Sequence, residues 1–104
     1  MIGTWQGPVE TPLLGSLSLV MTFKPKFAYV MCNASGQCSE PGLYFVTDLL
    51  TNGHFAGELQ NRSMERTAWL DDIWIDDVDG SEVLHFTLYD ELSLLNAALT
   101  RASD

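Results

Sequence analysis

The segment from residue 16 to residue 23 alternates apolar with polar side chains, which is the pattern of a half-buried β-strand. Its regularly spaced apolar positions are Leu17, Leu19, Met21 and Phe23. A second apolar segment begins at Phe27, after the strand-breaking Pro25. Folding the two segments around Pro25 puts three apolar pairs on one face, which indicates a hairpin. The predicted pairs are Phe23 with Phe27, Met21 with Tyr29, and Leu19 with Met31.

Two further hairpins are marked by the turn sequences Asn52-Gly53 and Asp79-Gly80. Both turns consist of residues that tolerate positive φ, as two-residue hairpin turns require. The predicted pairs are Leu50 with Phe55, Val46 with Leu59, Ile75 with Leu84, and Ile73 with Phe86. Continuing the last ladder would bury the Asp71 carboxylate opposite Leu88, so we expect a β-bulge at Asp71-Asp72.

The Asp79-Gly80 hairpin also predicts an aromatic residue on the outer face of the sheet. Trp74 falls opposite His85, with Asp72 and Asp76 beside them. A large exposed aromatic residue is typical of an interface, so Trp74 and His85 are candidate residues for a homodimer or another protein contact. The alternative is that a helical C-terminal segment covers Trp74.

The C-terminal segment, residues 90–104, fits two patterns. The helical pattern has Asp90 as a cap and apolar residues at Leu92, Leu95, Leu99 and Ala102. The strand pattern has two short strands, at 92–94 and 98–101. The whole chain, 1–104, is expected to form one domain without repeats or linkers. Short strands with turn signals every 8–12 residues or so predict an all-β, antiparallel up-and-down barrel of about eight strands, with a short C-terminal helix left open.

The net charge of the chain limits the kinds of molecule that it is expected to bind. Fourteen acidic residues against five basic ones give a net charge of -9. Such a surface is not expected to bind DNA, RNA or an anionic membrane, and it favours solubility. No apolar run approaches the ~18 residues needed to cross a bilayer. Because the first residues show no signal-peptide pattern, a soluble protein is expected, with the cytoplasm slightly favoured.

Motifs for chemistry are sparse. The sequence shows no nucleophile elbow, phosphate loop or dinucleotide fingerprint. His54 and His85 are the only histidines, and neither has an evident acid or nucleophile partner in the sequence. Asp77, Asp79 and Gly80 match only part of a calcium loop, and a solvated turn is the favoured interpretation. We therefore predict no catalytic residue, no metal and no cofactor.

Cys32 and Cys38 flank a turn at Ser35-Gly36. A three-residue loop would place the two cysteines opposite each other, where a disulfide can form. The Asn52-Gly53 hairpin instead places Tyr44 and Val46 on the inner face. Continuing this alternation back along the chain gives a two-residue turn at Ser35-Gly36, with Phe27 opposite Tyr44. The cysteines then point to opposite faces. The second register is favoured, and a disulfide remains the alternative.

The two ends of the sequence carry a family resemblance. Gly3-Thr4-Trp5 at the start of the first strand and Leu99-Thr100-Arg101 near the end resemble the calycin group, which contains the lipocalin, fatty-acid-binding and avidin-like barrels. The resemblance implies a closed barrel in which the guanidinium of Arg101 packs across the ring of Trp5. Such a contact gains ~0.5–2 kcal/mol. The alternative is that Trp5 is simply a core residue and Arg101 is solvated.

The inward-facing residues of such a barrel either fill it or line a site for one small ligand. Methionine and aromatic side chains suit an adaptable apolar site. The leading hypothesis is therefore binding of a small, largely apolar molecule without chemistry. One alternative is an interaction or homo-oligomerisation module with a filled core, and a barrel enzyme such as a cyclase or isomerase has least support. The predicted ligand-binding residues are Met21, Phe23, Tyr29, Tyr44, Phe55 and Phe86.

Overall fold

The computed structural model describes residues 2–11, 15–33, 35–91 and 94–103. The strands are β1 (Gly3–Thr11), β2 (Gly15–Lys24), β3 (Ala28–Asn33), β4 (Gly42–Leu49), β5 (Phe55–Gln60), β6 (Arg66–Val78), β7 (Ser81–Tyr89) and β8 (Leu94–Ser103). Consecutive strands are antiparallel neighbours, and β8 pairs with β1 to close the barrel. The predicted all-β up-and-down barrel is confirmed. The C-terminal segment forms one strand over Leu94–Ser103 rather than a helix, and the predicted start of a strand at residues 92–93 lies outside the described residues. None of the described residues belongs to a helix that could cross a membrane.

The two ends of the chain meet where β1 pairs with β8. Trp5 lies opposite Arg101 in this ladder, and the guanidinium carbon lies 4.4 Å from the centroid of the indole ring. The same guanidinium donates from Nη1 to the Ile2 carbonyl oxygen and from Nε to the Glu82 carboxylate, at 3.0 Å each. The contact that the calycin resemblance implies is therefore present, and it ties both termini to β7.

The middle of the barrel is filled with side chains. The largest fully buried ones are Trp5, Met21, Phe23, Leu59, Leu70, Leu84 and Leu99. They come from six of the eight strands, as the alternation of inward and outward positions in a closed sheet requires. Among the described residues no polar or charged residue is buried. Apolar burial at this level is therefore what holds the barrel together.

The β2–β3 hairpin keeps the predicted faces but not the predicted pairs. Phe23 pairs with Tyr29 rather than Phe27, and Met21 pairs with Met31. The turn is Pro25-Lys26-Phe27, because a proline with its fixed φ suits the first position of a turn and not its centre. The predicted register is wrong by two residues, which preserves the alternation. Phe27 leaves the ladder and is 57 % exposed.

The β4–β5 hairpin has a three-residue turn rather than the predicted two-residue one. Leu50 and His54 close it, with the Leu50 N–H donating to the His54 carbonyl at 2.8 Å. Only Gly53 has a positive φ, whereas a two-residue type I′ turn needs two such residues. The predicted pairs are therefore wrong. Phe55 pairs with Leu49, and a bulge shifts the register, so that Val46 pairs with Gly57 and Tyr44 with Leu59.

The β6–β7 hairpin has the predicted two-residue turn, with positive φ at both Asp79 and Gly80. The predicted pairs of Ile75 with Leu84 and Trp74 with His85 are confirmed. The ladder is interrupted between Asp71 and Trp74, and Asp72 adopts a φ of 50°, so the predicted bulge is confirmed as well. Ile73 was expected opposite Phe86; it lies within the interrupted stretch, and its ladder partner is Phe55 of β5.

The two cysteines form a disulfide, so the less favoured of the two alternatives is correct. The predicted register of Phe27 with Tyr44 is correct, since the Tyr44 N–H donates to the Phe27 carbonyl at 2.7 Å. Nearer the turn, the Ser39 N–H donates to Met31, which sets Cys32 opposite Cys38. The register therefore shifts by one residue between the two pairings. Pro41 lies in that stretch, and it has no N–H with which to continue a ladder.

Candidate ligand-binding pocket

One end of the barrel, which we call the mouth, carries the β2–β3, β4–β5 and β6–β7 turns together with the ends of β1 and β8. These elements meet there because the strands alternate in direction. An open pocket of about 420 Å³ lies in the mouth. We call it the mouth pocket. It is lined by Tyr44, Val46, Phe55, Ile73, Trp74, Ile75 and Leu84.

Apart from Trp74, which lies on the outer wall, the lining of the mouth pocket continues the inner face of the barrel. Tyr44, Ile73 and Leu84 are buried and form its floor. Val46 and Ile75 lie two residues further along β4 and β6, on the same face as Tyr44 and Ile73. Val46, Phe55 and Ile75 are 47 %, 44 % and 42 % exposed. The wall of the pocket is therefore made of large apolar side chains that face inward and remain half uncovered.

Tyr44 supplies an aromatic surface at the floor of the pocket. Its ring meets Phe23 edge-on, with 5.0 Å between the centroids, and its hydroxyl donates to the Lys24 carbonyl at 3.3 Å. Burial raises the pKa of Tyr44 above its ordinary value, so the hydroxyl is neutral at physiological pH. Because this donor is already engaged, Tyr44 contributes its ring to the pocket.

A stack of three rings lies on the outer side of the same wall. The ring centroid of Trp74 is 5.0 Å from that of His54 and 4.0 Å from that of His85, with the rings nearly parallel. Because β6 runs between β5 and β7, Trp74 lies between the two imidazoles. His54 precedes Phe55, and Trp74 separates Ile73 from Ile75. The stack therefore fixes the strands whose inner faces form the pocket wall.

Asp72 anchors this stack. His54 Nδ1 lies 2.6 Å from Asp72 Oδ1, and the Asn52 side-chain amide donates to the same oxygen at 3.1 Å. The hydrogen bond with His54, and then that with Asn52, lowers the pKa of Asp72 below its ordinary value. The sequence did not reveal this partner of His54, because the two residues become neighbours only through the left-handed backbone at the Asp71-Asp72 bulge.

The arrangement supports structure and binding more directly than a reaction. His54 has one ring nitrogen engaged with Asp72 and one ring face covered by Trp74. Both cysteines are joined in the disulfide. In the ranges that the structure describes, no group of three or more His, Cys, Asp or Glu side chains could hold a metal ion. The chemistry that the site offers is an apolar surface.

The structure places the six predicted ligand-binding residues at two levels. Tyr44 and Phe55 line the mouth pocket. The other four lie in the packed middle of the barrel: Met21, Phe23, Tyr29 and Phe86. Four further residues line the pocket although they were not among the predicted site residues: Val46, Ile73, Ile75 and Leu84. The signal that could have identified them is their position on the inner face next to a hairpin turn.

Trp74 and His85, the predicted interface residues, lie together on the outer wall. They contact each other, and both are partly buried. Their role in an interface stays a prediction.

No family model matches the chain, and the comparisons with curated proteins and with solved structures find no match. The calycin resemblance therefore depends on the closed eight-stranded barrel and on Gly3, Trp5 and Arg101.

Proposed function

We propose that this protein binds a small, largely apolar molecule in the mouth pocket. The observation that carries the proposal is the pocket itself, with about 420 Å³ of space and large apolar side chains around it. Ligand sites in proteins have volumes of roughly 300–1,000 Å³ and mostly apolar walls. Leaving Val46, Phe55 and Ile75 half exposed gives the free protein nothing in stability, and covering them favours binding.

The filled middle of the barrel limits how the ligand binds. The buried side chains of Tyr44, Ile73 and Leu84 close the floor, so the ligand lies across the mouth rather than within the middle of the barrel. Affinity comes mainly from apolar burial, at about 25 cal/mol per Å². No charged side chain lines the pocket among the described residues, so a compact neutral molecule fits it better than an ionised one.

We further infer that the barrel is a member of the calycin group. The up-and-down closure of eight strands supports this assignment, and so does the guanidinium of Arg101 packed across the ring of Trp5. In such barrels a small ligand is held at or within the open end, which is where the mouth pocket lies.

The binding proposal is tested by titrating the protein with N-phenyl-1-naphthylamine, a neutral fluorescent apolar probe. We expect saturable binding to the wild type and a loss of roughly tenfold or more in affinity for Ile75→Asp, because the new carboxylate is desolvated by the probe. The matched control is Leu17→Asp. Leu17 is 40 % exposed on the inner face at the other end of the barrel. Equal affinity for wild type and Ile75→Asp would overturn the proposal.

We also propose that the protein works in an oxidising compartment. The Cys32–Cys38 disulfide supports this, since such bonds persist outside reducing cytosol. The proposal departs from the cytoplasmic expectation of the sequence. Thiol titration of protein isolated under denaturing conditions without reductant measures it, and two free thiols per chain would contradict it.

A further inference from the structure

The mouth carries opposite charges on its two sides. Lys24 and Lys26, the only two lysines of the chain, are exposed at the β2–β3 turn. Asp77 and Asp79 are exposed at the β6–β7 turn. In a closed ring of eight strands these two turns are four strand positions apart, so they lie diametrically opposite each other. The mouth is therefore positive on one side and negative on the other, although the whole chain is strongly acidic.

An exposed apolar surface lies between these charges. Its members are Phe27, Val46, Leu49, Phe55 and Ile75. Phe27 lies in the β2–β3 turn. The others lie toward the mouth ends of β4, β5 and β6, and they include the wall of the mouth pocket. Contiguous apolar surface rimmed by charge is typical of a surface that another molecule covers.

We propose that a second copy of this chain covers the mouth, so that two barrels associate mouth to mouth about a two-fold axis. In a two-fold dimer one patch meets itself, and it must be self-complementary. An axis that lies in the plane of the mouth, at right angles to the line joining the two charged turns, turns each lysine turn onto the partner's acidic turn. The charge pattern therefore yields two equivalent attractive contacts, one on each side of the apolar surface.

The Asp77 carboxylate accepts a hydrogen bond from the Gly80 N–H at 3.1 Å and keeps its charge for a partner. Within the described part of the chain, no ion pair involves Lys24, Lys26, Asp77 or Asp79. Glu82, by contrast, is already paired with Arg101. Repulsion between two chains of charge -9 opposes association. Most of this repulsion acts between charges that are farther apart than the screening length of about 8 Å at physiological salt, so salt weakens it. The contacts between the charged turns are shorter than this length, so salt weakens them less.

Phe27 is the apolar anchor that best fits this role. Its ring stacks on Phe45, with 5.5 Å between the centroids, yet more than half of the residue stays exposed. Its φ of 63° is uncommon for a bulky side chain. The contact with Phe45 and the turn conformation hold this aromatic ring at the rim of the mouth, where it stays available to a partner. The dimer would enclose both mouth pockets, but it forms without a ligand, so it does not depend on the proposed function.

Sedimentation velocity of the full chain without ligand tests the dimer. We expect a dimer for the wild type and weaker association for each of two separate variants, Lys26→Glu and Asp79→Lys, without loss of folding and without aggregation. Each variant places like charges on both sides of its own dimer, so its Kd should rise roughly tenfold or more. Circular dichroism should show an unchanged barrel in both.

Mixing the two variants in equal amounts is the decisive step. In the mixed dimer one side joins the two introduced charges, which have opposite signs, and the other side keeps the native pair. We therefore expect the mixture to recover a dimer that neither variant forms alone. A structural role of either residue within one barrel would give no such recovery.

A monomeric wild type, variants that both dimerise with wild-type affinity, or a mixture that stays monomeric would overturn the dimer. The binding proposal fails separately. A monomer that binds the naphthylamine probe overturns only the dimer, and a dimer whose dissociated monomers bind no probe overturns only the ligand site.

Discussion

The packed middle of the barrel and the mouth pocket are built from the same residue types on the same strands, yet they have opposite relations to solvent. Ile75 of β6 and Leu84 of β7 are direct cross-strand partners on the inner face. Leu84 is fully buried, whereas Ile75 is 42 % exposed. Facing inward is therefore not enough for burial. A side chain also needs cover from the far wall of the barrel, and at the mouth that cover is incomplete.

The difference separates the residues that stabilise the fold from those available for binding. In the middle, each apolar side chain is surrounded by others, so its removal leaves a cavity. At the mouth, a truncated side chain leaves space that solvent already reaches. The same substitution should therefore have unequal effects at the two levels.

The largest expected effect is in the middle. Leu99→Ala should lower the free energy of unfolding by about 3 kcal/mol, because Leu99 is fully buried and its loss creates a cavity. Its matched counterpart at the mouth is Ile75→Ala, for which we expect about 1 kcal/mol or less. Urea unfolding followed by tryptophan fluorescence measures both. Equal losses would remove the distinction between the two levels.

The disulfide lies at the opposite end from the mouth, and removing it should have the next largest effect. The double substitution Cys32→Ser with Cys38→Ser opens a loop with a sequence separation of six. The expected loss in unfolding free energy is about 2 kcal/mol, from the greater chain entropy of the unfolded state. Probe binding at the mouth should not change. A weakened probe affinity would show that the two ends are coupled.

The Trp5–Arg101 contact lies at the border between the two regions. Arg101→Gln should cost about 1 kcal/mol of unfolding free energy, because the cation leaves the face of a buried indole. The control is Arg62→Gln, at an exposed turn position, which should cost almost nothing. Thermal unfolding of both variants makes the comparison. An equal effect of the two changes would mean that closure does not depend on this contact.

The smallest expected effect comes from Asp72 behind the pocket wall. The pKa of Asp72 is lowered in the folded state, so its carboxylate stabilises the fold fully above the ordinary pKa of 3.8. That contribution is lost as the pH falls from this value through the lower pKa of the folded state. Asn fits the left-handed backbone at this position, so Asp72→Asn isolates the charge. The variant should be slightly less stable than wild type at pH 6, and the difference should shrink below pH 4 or so. A difference that is constant with pH would contradict this assignment.

The alternation of apolar and polar residues in the sequence was sufficient to predict the fold and to identify the side chains that face inward. It places Met21, Phe23 and Leu84 in the core, and the structure agrees. The exact pairs depend on turn conformation, which residue types constrain only loosely. Lys26 and Phe27 both take a left-handed φ that their types disfavour, and this moves the β2–β3 register by two residues.

The candidate site was harder to predict, because it depends on how far each strand extends rather than on which way its side chains point. The side chains of Val46 and Ile75 face inward like those of the core residues. They stay exposed to solvent only because they lie near the mouth of the barrel. The approach of His54 to Asp72 has the same origin. It joins a turn to a bulge 18 residues later in the chain, and no local pattern encodes that distance.

The pairing of β1 with β8 makes the barrel continuous around its whole circumference. Thr4 lies opposite Ser103, so a short linker could join the two ends of the chain, and new ends could be opened at the exposed Asn52-Gly53 turn. Such a circular permutant would keep every strand pair while changing which strand is made first. The fold thus fixes the cyclic order of its strands, whereas the point at which the polypeptide begins is independent of it.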